Sequence, residues 1–191
     1  MSGDWDRAMT RQVTAWHEAG HAIAGTALGL SVRYVTLRPY GSGGRTQYRD
    51  TVPSAWAAGA VCLAGIAAEQ LHHTDRAALI WGGSNDLRNA RRIARLAAAE
   101  AMDPAWSEWD AGALMWRHAV ATVTEHLDAI AWLASLLLTS PRAVTGRQVR
   151  EVFTDSDRSD EPPLPGDVEW WIPRHTRMQW RTNDHPVRHA A

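Results

Sequence analysis

His17-Glu18-Ala19-Gly20-His21 is the stretch from which the rest of this 191-residue chain is read. On a helix, residues four apart project from one face, one turn apart, so His17 and His21 can grip a single metal ion between them. Glu18 follows the first histidine and approaches from the side, where its carboxylate can take a proton from a metal-bound water. The flanks support a helix over residues 10–28: Val13, Trp16, Ile23 and Ala27 recur at helical spacing, Thr10 is a candidate N-cap, and Gly29 stands where helices commonly end. Gly20 lowers helix propensity, but Ala19 and Gly20 leave room for a second element to approach the metal face closely. A solvated surface helix has no need of that gap.

Composition narrows the field. A chain of this length with 45% hydrophobic residues can bury a core as one domain. A formal net charge of -1 argues against a generally basic nucleic-acid binder and against strong attraction to acidic membranes. Every basic side chain is arginine or histidine, and without lysine neither a P-loop nor a Schiff-base enzyme can be encoded. Cys62 sits alone in an apolar run, reads as a small buried hydrophobe and has no partner for an internal disulfide. No signal peptide is recognisable, and the longest uncharged apolar run, 56–68, is too short to span a bilayer, so a cytoplasmic protein without membrane insertion is expected.

In chain order, residues 1–9 read as a flexible start. After the metal helix, 31–38 is rich in β-branched and aromatic residues and predicts a strand closed by Pro39; a glycine-rich turn follows, and 45–49 predicts a returning strand. Pro53 suits a first helical turn, and Trp56, Ala60, Leu63, Ala67 and Leu71 predict a helix over 55–72. Its many alanines and glycines point to a central, closely packed helix. A loop over 73–83 precedes a helix from Ser84 to about 102, with Ser84 as N-cap and Asp86 in its first turn. Asp103-Pro104 starts one long or once-broken helix over 105–138, and a short helix over 145–153 follows. From about 154 the composition turns to Asp, Ser and Pro, which cannot bury enough apolar surface to order itself. Trp170-Trp171-Ile172 and the arginines of 174–181 make this tail a docking segment or a mobile tail that packs a tryptophan on the domain.

A catalytic zinc takes three protein ligands and keeps one position for water, so one more ligand is needed. Three places compete. Asp86 opens a helix behind a Gly-Gly-Ser-Asn loop, but an acid there also complements the helix dipole. Glu69 lies on the small-residue helix and can ligate directly or accept a hydrogen bond from a ligating imidazole. His72 and His73 fall at a helix end, where solvation is the simpler role.

Three separated blocks resemble the peptidase domain of the FtsH-type zinc proteases, which are membrane-anchored and ATP-driven. His17-Glu18-Ala19-Gly20-His21-Ala22 is similar to the family's zinc helix, Leu63-Ala64-Gly65-Ile66-Ala67-Ala68-Glu69 to its Ala-Gly-Arg-Ala-Ala-Glu block, and Gly83-Ser84-Asn85-Asp86-Leu87 to its Ser-Asn-Asp-Leu block, in matching order and spacing. Val35-Thr36-Leu37-Arg38-Pro39 is similar to the strand after the zinc helix, and residues 133–149 to the closing helices. The resemblance implies Asp86 as third zinc ligand and Glu69 as a supporting acid. Ile66 departs from the family's arginine. A standalone domain, without ATPase module or transmembrane segments, is expected.

The expected fold is mainly α, a zincin-like helical peptidase domain over 10–153 with a small β-hairpin or short sheet after the zinc helix, flanked by the flexible 1–9 and the 154–191 tail. The expected activity is a zinc metalloendopeptidase cleaving unfolded or flexible segments, ATP-independent by itself, with Glu18 as general base and zinc held by His17, His21 and Asp86. The substrate backbone is expected to pair with the edge of the 32–37 strand at Val35, Thr36 and Leu37. A separate ATPase or unfoldase and a homo-oligomer fit the family; a nucleic-acid partner is not expected. The rival reading is a non-catalytic, zinc-stabilised scaffold presenting the tryptophan-rich tail. Glu18 speaks against it, because a structural zinc site takes four protein ligands and needs no base.

Overall fold

A computed structural model describes residues 2–38, 43–49, 54–72, 84–100 and 106–156. The expected turn at 39–42, the start at Pro53, the loop over 73–83 with His73, Asp103-Pro104 and the tail from 157 lie outside the described residues.

The chain runs through α1 (Ser2–Ala27), β1 (Val32–Leu37), β2 (Gly44–Tyr48), α2 (Ala55–His72), α3 (Ser84–Glu100), α4 (Glu108–Glu125), α5 (Leu127–Thr139), β3 (Val144–Thr145) and α6 (Gly146–Ser156). It is mainly helical with one small three-stranded sheet. Helix α1 begins at Ser2 rather than at Thr10, because nothing between them interrupts a helix; residues 2–9, expected as a flexible start, are its first turns, and Thr10 is no cap. Its end is where Gly29 predicts it. Gly29 takes φ +84°, Leu30 N donates to Gly25 O at 2.8 Å and Gly29 N to Thr26 O at 3.0 Å, the paired bonds that close a helix through a left-handed residue.

Strand β1 is the middle of the sheet, with β2 antiparallel along one side and β3 antiparallel to Tyr34 and Val35 along the other. A bulge between Val32 and Tyr34 breaks the two-residue alternation, so Val32 and Val35 both reach the core although three residues apart. Strand β3 was absent from the sequence expectation: Val144-Thr145 is too short to show a period. Gly146 lets it turn straight into α6, since a Cβ there would collide with the Val32 carbonyl.

Helix α2 is central, as its composition predicts. Residues 59–69, Cys62 excepted, are buried, with α1 on one side and α3 and α4 on the other. A helix enclosed on all sides is apolar all round. Its small residues set the spacing: a Cβ on Gly20 of α1 would lie 2.6 Å from Ala68 Cβ and 2.7 Å from Ala64 O, so the two backbones cross in near contact there. Two cores flank α2. One joins α1, α5, α6 and the sheet through Ile23, Val35, Ile130, Leu133 and Val149; the other joins α2, α3 and α4 through Leu63, Ile66, Ala94 and Met115.

The expected 105–138 helix is broken once, at His126, where α4 and α5 diverge by 77°. A capping box of Ser107 and Asp110 starts α4. Helix α6 runs to Ser156, so residues 154–156 belong to the folded part rather than to the tail. No single helix among the described residues is long and apolar enough to cross a membrane.

Candidate metal centre

The buried face of α1 carries His17, Glu18 and His21, only 6%, 7% and 9% exposed. Burial at that level is costly for such polar groups unless each has a partner. The partners come from elements other than α1. His21 Nδ1 lies 2.7 Å from the Val61 carbonyl of α2; a carbonyl only accepts, so Nδ1 carries the proton and the lone pair of the neutral ring is on Nε2. His17 Nδ1 lies 2.6 Å from Glu69 Oε1, an ion-pair contact without the alignment of a hydrogen bond, and it turns His17 Nε2 the same way. Glu69 is 1% exposed, and its second oxygen has no hydrogen-bond partner among the described residues.

Asp86, in the first turn of α3, completes the cluster. Its Oδ2 lies 3.0 Å from His17 Nε2 and 3.5 Å from His21 Nε2, and the two Nε2 atoms are 2.9 Å apart. Donors about 2.0–2.1 Å from a tetrahedral zinc are about 3.3 Å from one another, so these separations match a zinc ligand set to within a few tenths of an ångström. Among the described residues, the group of converging metal donors consists of these three. Gly65 makes the room: a Cβ there would lie 2.6 Å from His21 Nε2 and 2.9 Å from His17 Nε2.

The acids set the charge state. Burial alone would lower the His17 pKa, but hydrogen bonding to Asp86 and the proximity of Glu69 outweigh it and raise the group to about 10. Asp86 moves the opposite way: burial opposes its ionised form, yet its bonds to His17 and His21 hold it well below the usual carboxylate range. The site therefore favours a cation at the Nε2–Oδ2 junction, whether a proton or a metal.

Glu18 is held from the sheet. Thr46 Oγ1 of β2 donates to Glu18 Oε2 at 2.7 Å and lies 3.1 Å from the Glu18 carbonyl. Gly44, two residues earlier on the same face of β2, packs on the Glu18 side chain so closely that a Cβ would lie 2.8 Å from Oε1. Tyr48 OH donates to the His21 carbonyl at 2.6 Å; burial, then the charge of Glu18, push its phenol up, so it stays a donor.

Of the residues picked from sequence, His17, Glu18, His21, Glu69 and Asp86 assemble here. His72 does not: it stacks on Trp16 at 4.0 Å and meets Gln12 Nε2 at 3.3 Å. Of the residues expected to pair with substrate, Val35 is not on an open edge, whereas among the described residues Thr36 and Leu37 are paired along one side only. Their strand is central, Val35 is fully buried and paired on both sides, and Thr36 and Leu37 pair with Arg45 and Gly44; the sheet edge beside Glu18 belongs to β2. Cys62 is half-buried rather than buried, with its thiol pushed up to about 11 by burial and by Asp86, and lies outside the donor group. Gly44, Thr46, Gly65 and the Val61 carbonyl escaped the sequence reading. A glycine run marks Gly44 and Gly65 only as turn and packing residues, and a backbone carbonyl leaves no sequence signal.

No protein-family model matches the chain. Two curated proteins are similar to it, both named ATP-dependent zinc metalloprotease FtsH. The one from Mesomycoplasma conjunctivae is 32% identical over 100 residues, 47% of this chain and 13% of that protein. The one from Mycoplasma mobile is 30% identical over 123 residues, 58% of this chain and 16% of that protein. The matches thus span less than a fifth of either relative's length.

Proposed function

We propose that the chain is a zinc metalloendopeptidase that cleaves unfolded or flexible polypeptide segments. The observation that carries this reading is the convergence of His17 Nε2, His21 Nε2 and Asp86 Oδ2 on the buried face of α1, where Glu18 directly follows the first of the two histidines. Three protein donors is the number a catalytic zinc takes. The similarity to zinc metalloproteases, partial as it is, points to the same chemistry.

In this reading His17, His21 and Asp86 hold the zinc. Bound zinc supplies a Lewis acid for the peptide carbonyl and lowers the pKa of water towards 7. Glu18 takes the proton of the attacking water and hands it to the departing amine. Glu69 keeps the His17 ring turned so that Nε2 faces the metal, and the Val61 carbonyl does the same for His21. An extended substrate pairs along the outer edge of β2, whose backbone orients a chain without reading its sequence. No nucleotide enters this chemistry, so already extended segments are the substrates reached without a separate ATPase or unfoldase.

The test measures zinc content and cleavage of an unfolded fluorogenic protein for the native chain and Glu18→Gln side by side. The expected result is stoichiometric zinc in both and cleavage by the native chain alone. Equal turnover by metal-loaded Glu18→Gln would refute the assignment of the base. Zinc in both with cleavage by neither would favour the scaffold reading.

A further inference from the structure

We propose that Thr46 is the positioning residue for Glu18, fixing the carboxylate from the edge strand of the sheet; this rests on the peptidase reading above. Glu18 has three rotatable side-chain bonds and, among the described residues, no ion-pair partner, so its helix alone does not select one orientation. Thr46 supplies the selection. Its Oγ1 stands within hydrogen-bond reach of two atoms of the same residue, the Oε2 carboxylate oxygen at 2.7 Å and the backbone carbonyl at 3.1 Å. A threonine hydroxyl has one proton, and the shorter bond to the charged acceptor claims it.

The contact is made by a built surface rather than by one side chain. Gly44 and Thr46 face α1 together at the two-residue period of a strand, while Arg45 between them is exposed. Gly44 has no side chain, and the Glu18 carboxylate fills the space: a Cβ there would lie 2.8 Å from both Cδ and Oε1. Thr46 therefore bonds one oxygen while Gly44 walls the other. Oε1 has no hydrogen-bond partner among the described residues and is left to receive the proton. The strand that holds the base is also the strand whose outer edge would align the substrate, so a single element sets both reactants.

The test compares the full native chain with Thr46→Val, which removes the hydroxyl and keeps the shape, and Thr46→Ser, which restores the hydroxyl. Thr46→Val should keep its zinc and its fold, lower kcat about 10- to 100-fold and leave KM within about twofold, because misplacement of a reacting group acts on the chemical step. Thr46→Ser should recover kcat to within a few-fold of native. Crystal structures of the purified native and Thr46→Val chains give a readout independent of turnover: the Glu18 carboxylate should leave its place against Gly44 in the variant. An unchanged kcat in Thr46→Val, in a preparation where the native chain cleaves and Glu18→Gln does not, would overturn the inference and leave the peptidase reading standing. If the native chain shows no Glu18-dependent cleavage, the peptidase reading fails, and the crystal structures still decide whether Thr46 holds the carboxylate: an unmoved Glu18 overturns it.

Discussion

Gly65→Ala puts one methyl group into the place where the two imidazoles converge. The new Cβ would start 2.6 Å from His21 Nε2 and 2.9 Å from both His17 Nε2 and Cε1. Ordinary contact begins at about 3.4 Å, so the rings must give about 0.5–0.8 Å. A metal tolerates ligand displacements of about 0.2 Å, less than half of that. Neither ring can swing freely: His21 is tied to Val61 O at 2.7 Å and His17 lies 2.6 Å from Glu69. Zinc affinity should fall at least about 100-fold, equivalent to about 2.7 kcal/mol. The effect on the fold is smaller, because about 1–3 kcal/mol of overpacking is partly offset by about 0.5–1 kcal/mol from removing a helical glycine, and the chain stays folded. The signature is therefore a loss of metal without a loss of structure. Competition against a chelator of known affinity reads the first, and thermal melting of the chelated proteins reads the second. Gly65→Ala protein that binds zinc within threefold of native would show that α2 does not approach the ligands as closely as described, and the donor geometry would be wrong with it.

Asp86→Ala should lose stoichiometric zinc, whereas Glu69→Gln should keep it with an affinity lowered about 10- to 100-fold, as expected of a residue that orients a ligand; metal analysis showing the reverse order would make Glu69 the ligand. The raised His17 pKa predicts that zinc displaces about one proton: apparent affinity should climb about tenfold per pH unit above 6.5 and level off near pH 10, and calorimetry in buffers of different ionisation enthalpy counts the proton. A flat profile would mean that His17 is already neutral in the metal-free chain. The same shifts act on the metal-free fold with opposite signs: the His17 contribution is complete below pH 6.5 and lost towards 10, the Asp86 contribution is complete above 3.8 and lost in acid, so both are present together only between those limits, and chelated protein should melt highest there. Gly112→Ala is the counterpart of Gly65→Ala, since among the described residues its Cβ would meet Ala94 Cβ alone, at an unstrained 4.0 Å; it should stabilise α4 by about 0.5–1 kcal/mol in a melting experiment and leave zinc binding untouched.

How much of this was legible in the sequence depended on how locally each feature is encoded. His17 and His21 are four residues apart, so helical geometry alone places their rings together. Helix α2 was legible to the residue, because eighteen residues of small and apolar side chains bounded by a turn signal admit little else. Asp86 was different. It lies in the first turn of its helix like any dipole-compensating acid, and spacing alone left Glu69 and the two histidines at 72 and 73 in contention. The structure brings Asp86 Oδ2 to both rings and sends His72 to Trp16. That Val35 lies on no open edge was hidden for a physical reason. Two residues, Val144 and Thr145, pair with Tyr34 and Val35 on the far side of β1, and a two-residue strand has no period to read. Thr46 was equally silent, since its role exists only once β2 has paired with β1 in the observed register.

The arrangement also explains why α2 holds a glutamate among alanines and glycines. Glu69 is the polar member of the largest fully buried side chains, and among the described residues one of its oxygens finds no hydrogen bond, an arrangement that costs about 1–3 kcal/mol. Ile66, one turn earlier, offers it no charge; among the described residues its cationic partner is the His17 ring. A chain selected for stability alone would do better with an apolar residue at 69, as buried ion pairs commonly can be replaced without loss. Keeping the acid makes sense if the ring behind it must face one way and must be a strong donor. The same reasoning covers the other irregularities around it: Gly65 gives up helix propensity to clear the donors, Gly44 gives up strand propensity to seat Glu18, and Asp86 is drawn from solvent into a cluster of imidazoles. Each is a local loss, and all of them converge within one shell around the His17–His21–Asp86 junction, which is the pattern expected where a fold has been shaped around a site instead of around its own core.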